Sequence, residues 1–136
     1  MKILLVDDDT RFRETVETAL RRRGYETRGA NNGKEALTLV EQFDPDWVVT
    51  DLLMPVMEGL ETIQALRRMR SRARILAMSG RWWDSADICL KTARSLGAEA
   101  TLTKPFSVGQ LLEIVASPNR EAENTTDLPV VNTEAR

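Results

Sequence analysis

Apolar residues along the chain fall in short unbroken runs, separated by segments in which they recur every three or four positions. Ile3-Leu4-Leu5-Val6 is apolar at four consecutive positions, which predicts a strand buried on both faces, and Asp7-Asp8-Asp9 ends it. Phe12, Val16, Ala19 and Leu20 then line one face of a helix; Arg21-Arg22-Arg23 suits its negative end and Gly24 its stop. Asp9 or Thr10 is expected to cap that helix. Tyr25 to Ala30 reads as a weaker second strand. Asn32, with Glu35 three positions on, reads as the cap of a helix presenting Ala36, Leu39, Val40 and Phe43.

Asp44-Pro45-Asp46 breaks the pattern before a third strand, Trp47 to Asp51, with Trp47 expected in the core. Leu60, Ile63, Leu66 and Met69 mark a third helix, Arg74 to Ser79 a fourth strand, and Asp84 to Leu96 a fourth helix with Gly97 as its stop. On that helix Cys89 shares a stripe with Ala86, Ala93 and Leu96, which favours packing over redox chemistry. Ala100 to Thr103 is a fifth strand, and Ser107 with Gln110 opens a fifth helix on Val108, Leu111, Leu112 and Val115. Five strand-helix units predict an α/β domain over residues 1–117, its parallel sheet covered on both faces. Residues 118–136 lack a helical stripe and any aromatic residue, and are expected to be a disordered tail.

Composition narrows the chemistry. The chain has no histidine and one cysteine, so imidazole-based triads, histidine-ligated zinc and an intrachain disulfide are excluded. A net charge of -2 gives no general reason to bind nucleic acid or membrane. The basic runs at Arg21–Arg23 and Arg67–Arg74 fall at helix C-termini, where cations are favoured anyway, so direct DNA contact is not expected. The first residues meet three aspartates too soon for a signal peptide, and no apolar stretch is long enough to span a membrane. A cytoplasmic location is expected.

In open parallel sheets ligands sit beyond the carboxyl ends of the strands. Four strands here end in polar side chains that could meet there: Asp7 with Asp8, Asp51, Ser79 and Lys104. Converging carboxylates repel one another unless a cation lies among them, and a hard, oxygen-liking Mg²⁺ suits that set. A metal, a carboxylate, a hydroxyl and an ammonium together suit phosphoryl transfer, with an already ionised aspartate as nucleophile.

The segments VDDD, TDLLMPVMEG, ILAMSG and TKPF stand in the order and spacing of one family. In these the chain resembles the CheY-like receiver domain of bacterial two-component response regulators over residues 1 to about 117. The resemblance implies a doubly wound, flavodoxin-like sheet in the order 2-1-3-4-5. It implies that Asp7 and Asp8 hold Mg²⁺, joined by Asp51 and the Leu53 carbonyl, and that Asp51 accepts the phosphoryl group. It further implies that Ser79 is the switch hydroxyl, that Lys104 contacts phosphate and that the Lys104-Pro105 bond is cis. The donor would be a phosphohistidine on a separate histidine kinase or histidine phosphotransfer protein, since this chain has no histidine. The output would be a changed surface on the fourth helix, fifth strand and fifth helix, the family's usual partner or homodimer face. The activity would be self-catalysed uptake and slow hydrolysis of the phosphoryl group rather than enzyme turnover.

Two positions depart from the family. Thr101 stands where an aromatic residue often moves with the switch hydroxyl, and Trp82-Trp83 follows Ser79-Gly80 where smaller or polar residues are usual. One of the indoles is expected to replace that aromatic in part, or to face a partner. Competing readings are a degenerate receiver serving as a protein-binding scaffold and an aspartate-nucleophile phosphatase of the haloacid dehalogenase type. The phosphatase motif wants Thr or Val at the fifth place of Asp7-Asp8-Asp9-Thr10-Arg11, where arginine stands. A flavin-binding module is disfavoured by three aspartates where phosphate would sit. The chain would be a stand-alone receiver or a fragment of a longer regulator.

Overall fold

The computed structural model of the chain describes residues 1–52, 59–80 and 86–118, with residues 86–89 described by backbone alone. Strands and helices alternate: β1 (Lys2–Val6), α1 (Thr10–Arg22), β2 (Glu26–Ala30), α2 (Gly33–Phe43), β3 (Trp47–Asp51), α3 (Gly59–Arg68), β4 (Arg74–Gly80), α4 (Ala86–Leu96), β5 (Ala100–Lys104) and α5 (Val108–Val115). The strands pair in parallel in the order β2-β1-β3-β4-β5. This is the flavodoxin-like order that the family resemblance implies.

The consecutive apolar strand positions divide between two cores, one on each face of the sheet. Ile3, Leu5, Trp47, Val49, Leu76 and Met78 meet Val16 and Leu20 of α1 and Leu111 and Val115 of α5. Their neighbours in sequence, Leu4, Val6, Val48, Ile75 and Ala77, meet α2, α3 and α4 through Ala36, Val40, Ile63, Leu66 and Ala93. Both faces of the central strands are therefore covered, and β1, β3 and β4 lack period-two polar alternation; β2, at the sheet edge, keeps it, with Glu26 and Arg28 exposed and Thr27 and Ala30 buried.

Helix ends follow the caps read from sequence. Asp9 accepts from the Phe12 amide at 3.0 Å, so Asp9, rather than Thr10, caps α1. Asn32 accepts from the Glu35 amide, while Glu35 accepts from the amide of Asn31, one residue earlier than a standard capping box. Ser107 and Gln110 form the full reciprocal box on α5. Ser107→Ala is expected to cost about 1 kcal/mol in urea unfolding, with the fold retained.

Several boundaries differ from the sequence reading: β1 starts one residue earlier, at Lys2, and β5 runs one residue further, to Lys104. β2 begins at Glu26, because the Tyr25 amide turns back to the Leu20 carbonyl at the end of α1. Met69 is exposed rather than core: α3 ends at Arg68, and Arg70 adopts φ 58°, which breaks the helical row. β4 runs one residue further, to Gly80. The expected start of the fourth helix at Asp84, Trp82-Trp83 and the Cys89 side chain lie outside what is described, as does the chain from residue 119 onward.

Trp47 is fully buried and its indole N–H donates to the Val115 carbonyl at 3.2 Å. Arg74 stacks its guanidinium 4.4 Å from the Trp47 ring centroid and binds the Glu99 carboxylate through Nε and Nη2. The same guanidinium donates to the Ser117 carbonyl at 2.7 Å and to the Pro118 carbonyl at 3.0 Å. One arginine at the amino-terminal end of the sheet thus holds the residues that follow α5.

Candidate functional site beyond the carboxyl ends of the strands

Strand register brings the polar strand ends together. Val6 pairs with Thr50 and Asp51 with Met78, while Ser79 and Gly80 pair with Thr103 and Lys104. Asp51 and Lys104 continue the strand rows of the α1/α5 face, and Ser79 continues the row of Ile75 and Ala77 on the other. The topological switch lies between β1 and β3, whose crossovers leave on opposite faces, so a crevice opens at Asp7 and Asp51.

Asp7 is 1% exposed and each of its carboxylate oxygens has a partner. Oδ1 accepts from the Asp9 amide at 2.9 Å and Oδ2 from the Lys104 ammonium at 2.8 Å. Its carbonyl accepts from Arg13, whose Nη1 also reaches Asn31 Oδ1 at 2.8 Å. Asp51 is 8% exposed; its Oδ1 accepts from the Leu52 amide at 3.0 Å, and its Oδ2 lies 3.8 Å from Lys104 Nζ. Asp8 stands on the solvent side of the pair. Burial, with the Asp7 and Asp8 charges adding to it, raises the Asp51 carboxyl to about 6 against the pull of Lys104 and the Leu52 amide. Gly59 packs behind Asp51: a Cβ there would lie 2.3 Å from the Asp51 carbonyl oxygen.

Asp7, Asp8 and Asp51 each offer a carboxylate oxygen within 4.8 Å of the others. Ligands on opposite sides of a Mg²⁺ at 2.0–2.1 Å are about 4 Å apart, so this all-oxygen cluster fits such an ion without large movement. The Ser79 side chain is buried at the same end of the sheet, its hydroxyl donating to the Gly80 carbonyl at 3.2 Å. Thr101 is half-buried on β5, in the row of Thr103 and Ser79. Leu53 lies outside the described residues. The Lys104-Pro105 bond is cis.

Two neighbours of the cluster were not singled out as site residues from sequence. Arg13 frames Asp7, and its only signal was an i, i+4 pattern with Glu17, a pair 3.7 Å apart. Phe12, read as core, lies with its ring centroid 4.4 Å from Lys104 Nζ. No spacing rule could reveal that contact, since it depends on β5 and α1 meeting in space.

An open parallel sheet of this order, with acids and a lysine gathered at its switch point, defines a flavodoxin-like α/β protein. The response regulator receiver domain family matches residues 3–116, and the chain belongs to that family of two-component signalling proteins. Among curated relatives, response regulator MprA of Mycobacterium leprae is 38% identical over 82% of this chain and 48% of its own length. The probable transcriptional regulator ycf27 of Porphyra purpurea is 36% identical over 96% of this chain and 53% of its own. The chain therefore spans about half the length of these relatives. Among solved structures, chemotaxis protein CheY4 of Vibrio cholerae superposes with a TM-score of 0.75 at 31% identity, covering 84% of this chain and 94% of that one. The receiver domain of Francisella response regulator 1452 gives 0.75 at 30% identity, with 84% and 92% covered. Among the described residues no helix is long and apolar enough to cross a membrane.

Proposed function

We propose that this domain accepts a phosphoryl group on Asp51 from a phosphohistidine of a partner histidine kinase or histidine phosphotransfer protein. The observation that carries the reading is the cluster itself: three carboxylates within 4.8 Å of one another, with Lys104 2.8 Å from Asp7 and 3.8 Å from Asp51. Asp51 Oδ1 is committed to the Leu52 amide, so Oδ2, beside Lys104, is the oxygen that attacks phosphorus. The new O–P bond forms as the donor's P–N bond breaks, and the leaving imidazole takes up a proton. Asp51 needs no general base, since a carboxyl near 6 is mostly ionised at pH 7 and more basic than an ordinary aspartate.

Asp7, Asp8 and Asp51, with the Leu53 carbonyl, would hold Mg²⁺, which when bound supplies positive charge to the transferring oxygens. Lys104 supplies a second positive charge on those oxygens, and the Ser79 hydroxyl donates to one of them once it leaves Gly80. The signal is a repacking of the α4-β5-α5 surface, read by a protein partner or a second copy of the chain.

Intact mass with and without Mg²⁺ and a small phosphoryl donor tests this on wild type and Asp51→Asn. One Mg²⁺-dependent phosphoryl adduct in wild type, absent from the variant, is the expected result. A folded, Mg²⁺-binding protein that acquires no adduct overturns the reading and leaves a protein-binding scaffold.

A further inference from the structure

The Lys104 ammonium has a neighbour that is not a carboxylate. Its Nζ lies 4.4 Å from the centroid of the Phe12 ring, while it faces Asp7 Oδ2 at 2.8 Å and Asp51 Oδ2 at 3.8 Å. Phe12 is itself held edge-on by Phe106, with centroids 5.9 Å apart and planes at 89°. Both rings are half-buried, and Phe106 lies two residues after Lys104, so the lysine and its aromatic support belong to one junction of β5, α5 and α1.

An ammonium over a ring face is attracted by the ring quadrupole, more strongly where water is partly excluded. The Lys104 side chain is 23% exposed, so it retains an escape to solvent along which its flexible stem could carry the charge. A leucine or methionine at position 12 would fill similar space against Phe106 without that attraction. Displacing a group that contacts the transferred phosphoryl by even 1 Å is costly to the rate.

We propose that Phe12 is a positioning residue for phosphoryl transfer, its ring holding the Lys104 ammonium over the crevice between Asp7 and Asp51. The inference rests on the functional reading above and adds to it a residue outside the strand ends.

Phe12→Tyr, Phe12→Leu and Phe12→Met test it with two readouts. In the protein without donor or cation, the ring current should shift the Lys104 ε-methylene protons upfield in wild type and Phe12→Tyr, and the shift should vanish in Phe12→Leu and Phe12→Met. With Mg²⁺ and phosphoramidate, the initial rate of adduct formation should stay within about twofold in Phe12→Tyr. It should fall about three- to tenfold in Phe12→Leu and Phe12→Met, whose thermal midpoints show them folded. Wild-type rates in the leucine and methionine variants overturn the proposal. So does an equal loss in the tyrosine variant, which would mark packing alone, and so does an unshifted ε-methylene in wild type. A wild type without any adduct defeats the parent reading. A wild type with the adduct and an equal rate in Phe12→Leu defeats only the role of Phe12.

Discussion

Asparagine at position 51 is expected to remove the phosphoryl adduct and, in the same protein, to raise the stability of the metal-free fold by about 2 kcal/mol at pH 7. Burial and the Asp7 and Asp8 charges lift the Asp51 carboxyl from 3.8 to about 6 in the folded chain. That displacement corresponds to roughly 3 kcal/mol at 1.36 kcal/mol per pH unit, reduced to about 2 by partial solvent access and relaxation of the cluster. Between 3.8 and about 6 the folded protein keeps a proton that the unfolded chain has lost, so the contribution of Asp51 to stability falls as pH rises through that window and is constant above it. Urea titrations in a chelating buffer should therefore show wild type and Asp51→Asn converging near pH 4 and separating by pH 7. A variant no more stable than wild type at pH 7 would show that burying the ionised Asp51 beside Asp7 and Asp8 carries no net penalty. Adding Mg²⁺ at a hundred times its dissociation constant should restore about 2.7 kcal/mol to wild type, and less to the variant, which has lost a ligand.

The second large effect concerns the wall behind Asp51. Gly59→Ala is expected to cost about 3 kcal/mol or more and to slow adduct formation. The added methyl would meet the Asp51 carbonyl oxygen at 2.3 Å and Leu52 Cα at 2.6 Å, both backbone atoms of the segment that aims Asp51. Relief requires the first turn of α3 to back away, breaking the 3.1 Å bond from the Gly59 amide to the Leu52 carbonyl. Gly29→Ala is the useful contrast. Its closest atoms, Glu17 Oε2 and Arg13 Nε, are ends of flexible side chains that can move aside. Urea unfolding of both variants, with adduct rates alongside, separates the two cases, and a cost under about 1 kcal/mol for Gly59→Ala would mean that α3 starts on a yielding turn.

Much of this was legible in the sequence because the central strands β1, β3 and β4 are buried on both faces and α1, α2 and α5 begin on a side chain that accepts from an amide three residues on. Asp9, Asn32 and Ser107 all do so. Asp7, Asp8, Asp51, Ser79 and Lys104 could be selected because they end strands that a parallel sheet must bring to one edge, and the order of the motifs named the family. Contacts between elements remote in sequence were not legible. Arg74 was read only as the end of a basic run and the first residue of a strand, yet it is half-buried over Trp47 and paired with Glu99. Glu17 lies on the inner side of α1 where a polar residue breaks the apolar stripe, and is buried there because Arg13 and Arg21 flank it. Met69 kept the helical spacing but fell past the helix end. Spacing alone does not report where a turn intervenes.

The grip of Arg74 on Ser117 and Pro118 has a consequence for how far a message must travel. Arg74 opens β4 and Ser79 stands near its close, so five residue steps of strand separate the place where the chain leaves α5 from the crevice at Asp51. At about 3.3 Å per residue the separation is roughly 17 Å. Charges at a protein surface are screened over about 8 Å at physiological ionic strength. A phosphoryl group accepted by Asp51, as proposed, would therefore be nearly invisible, as a charge, to the residues after Pro118. Its effect there would have to arrive as a displacement of packed side chains, and β4, which runs from Arg74 to Gly80, is the direct rod along which such a displacement would run.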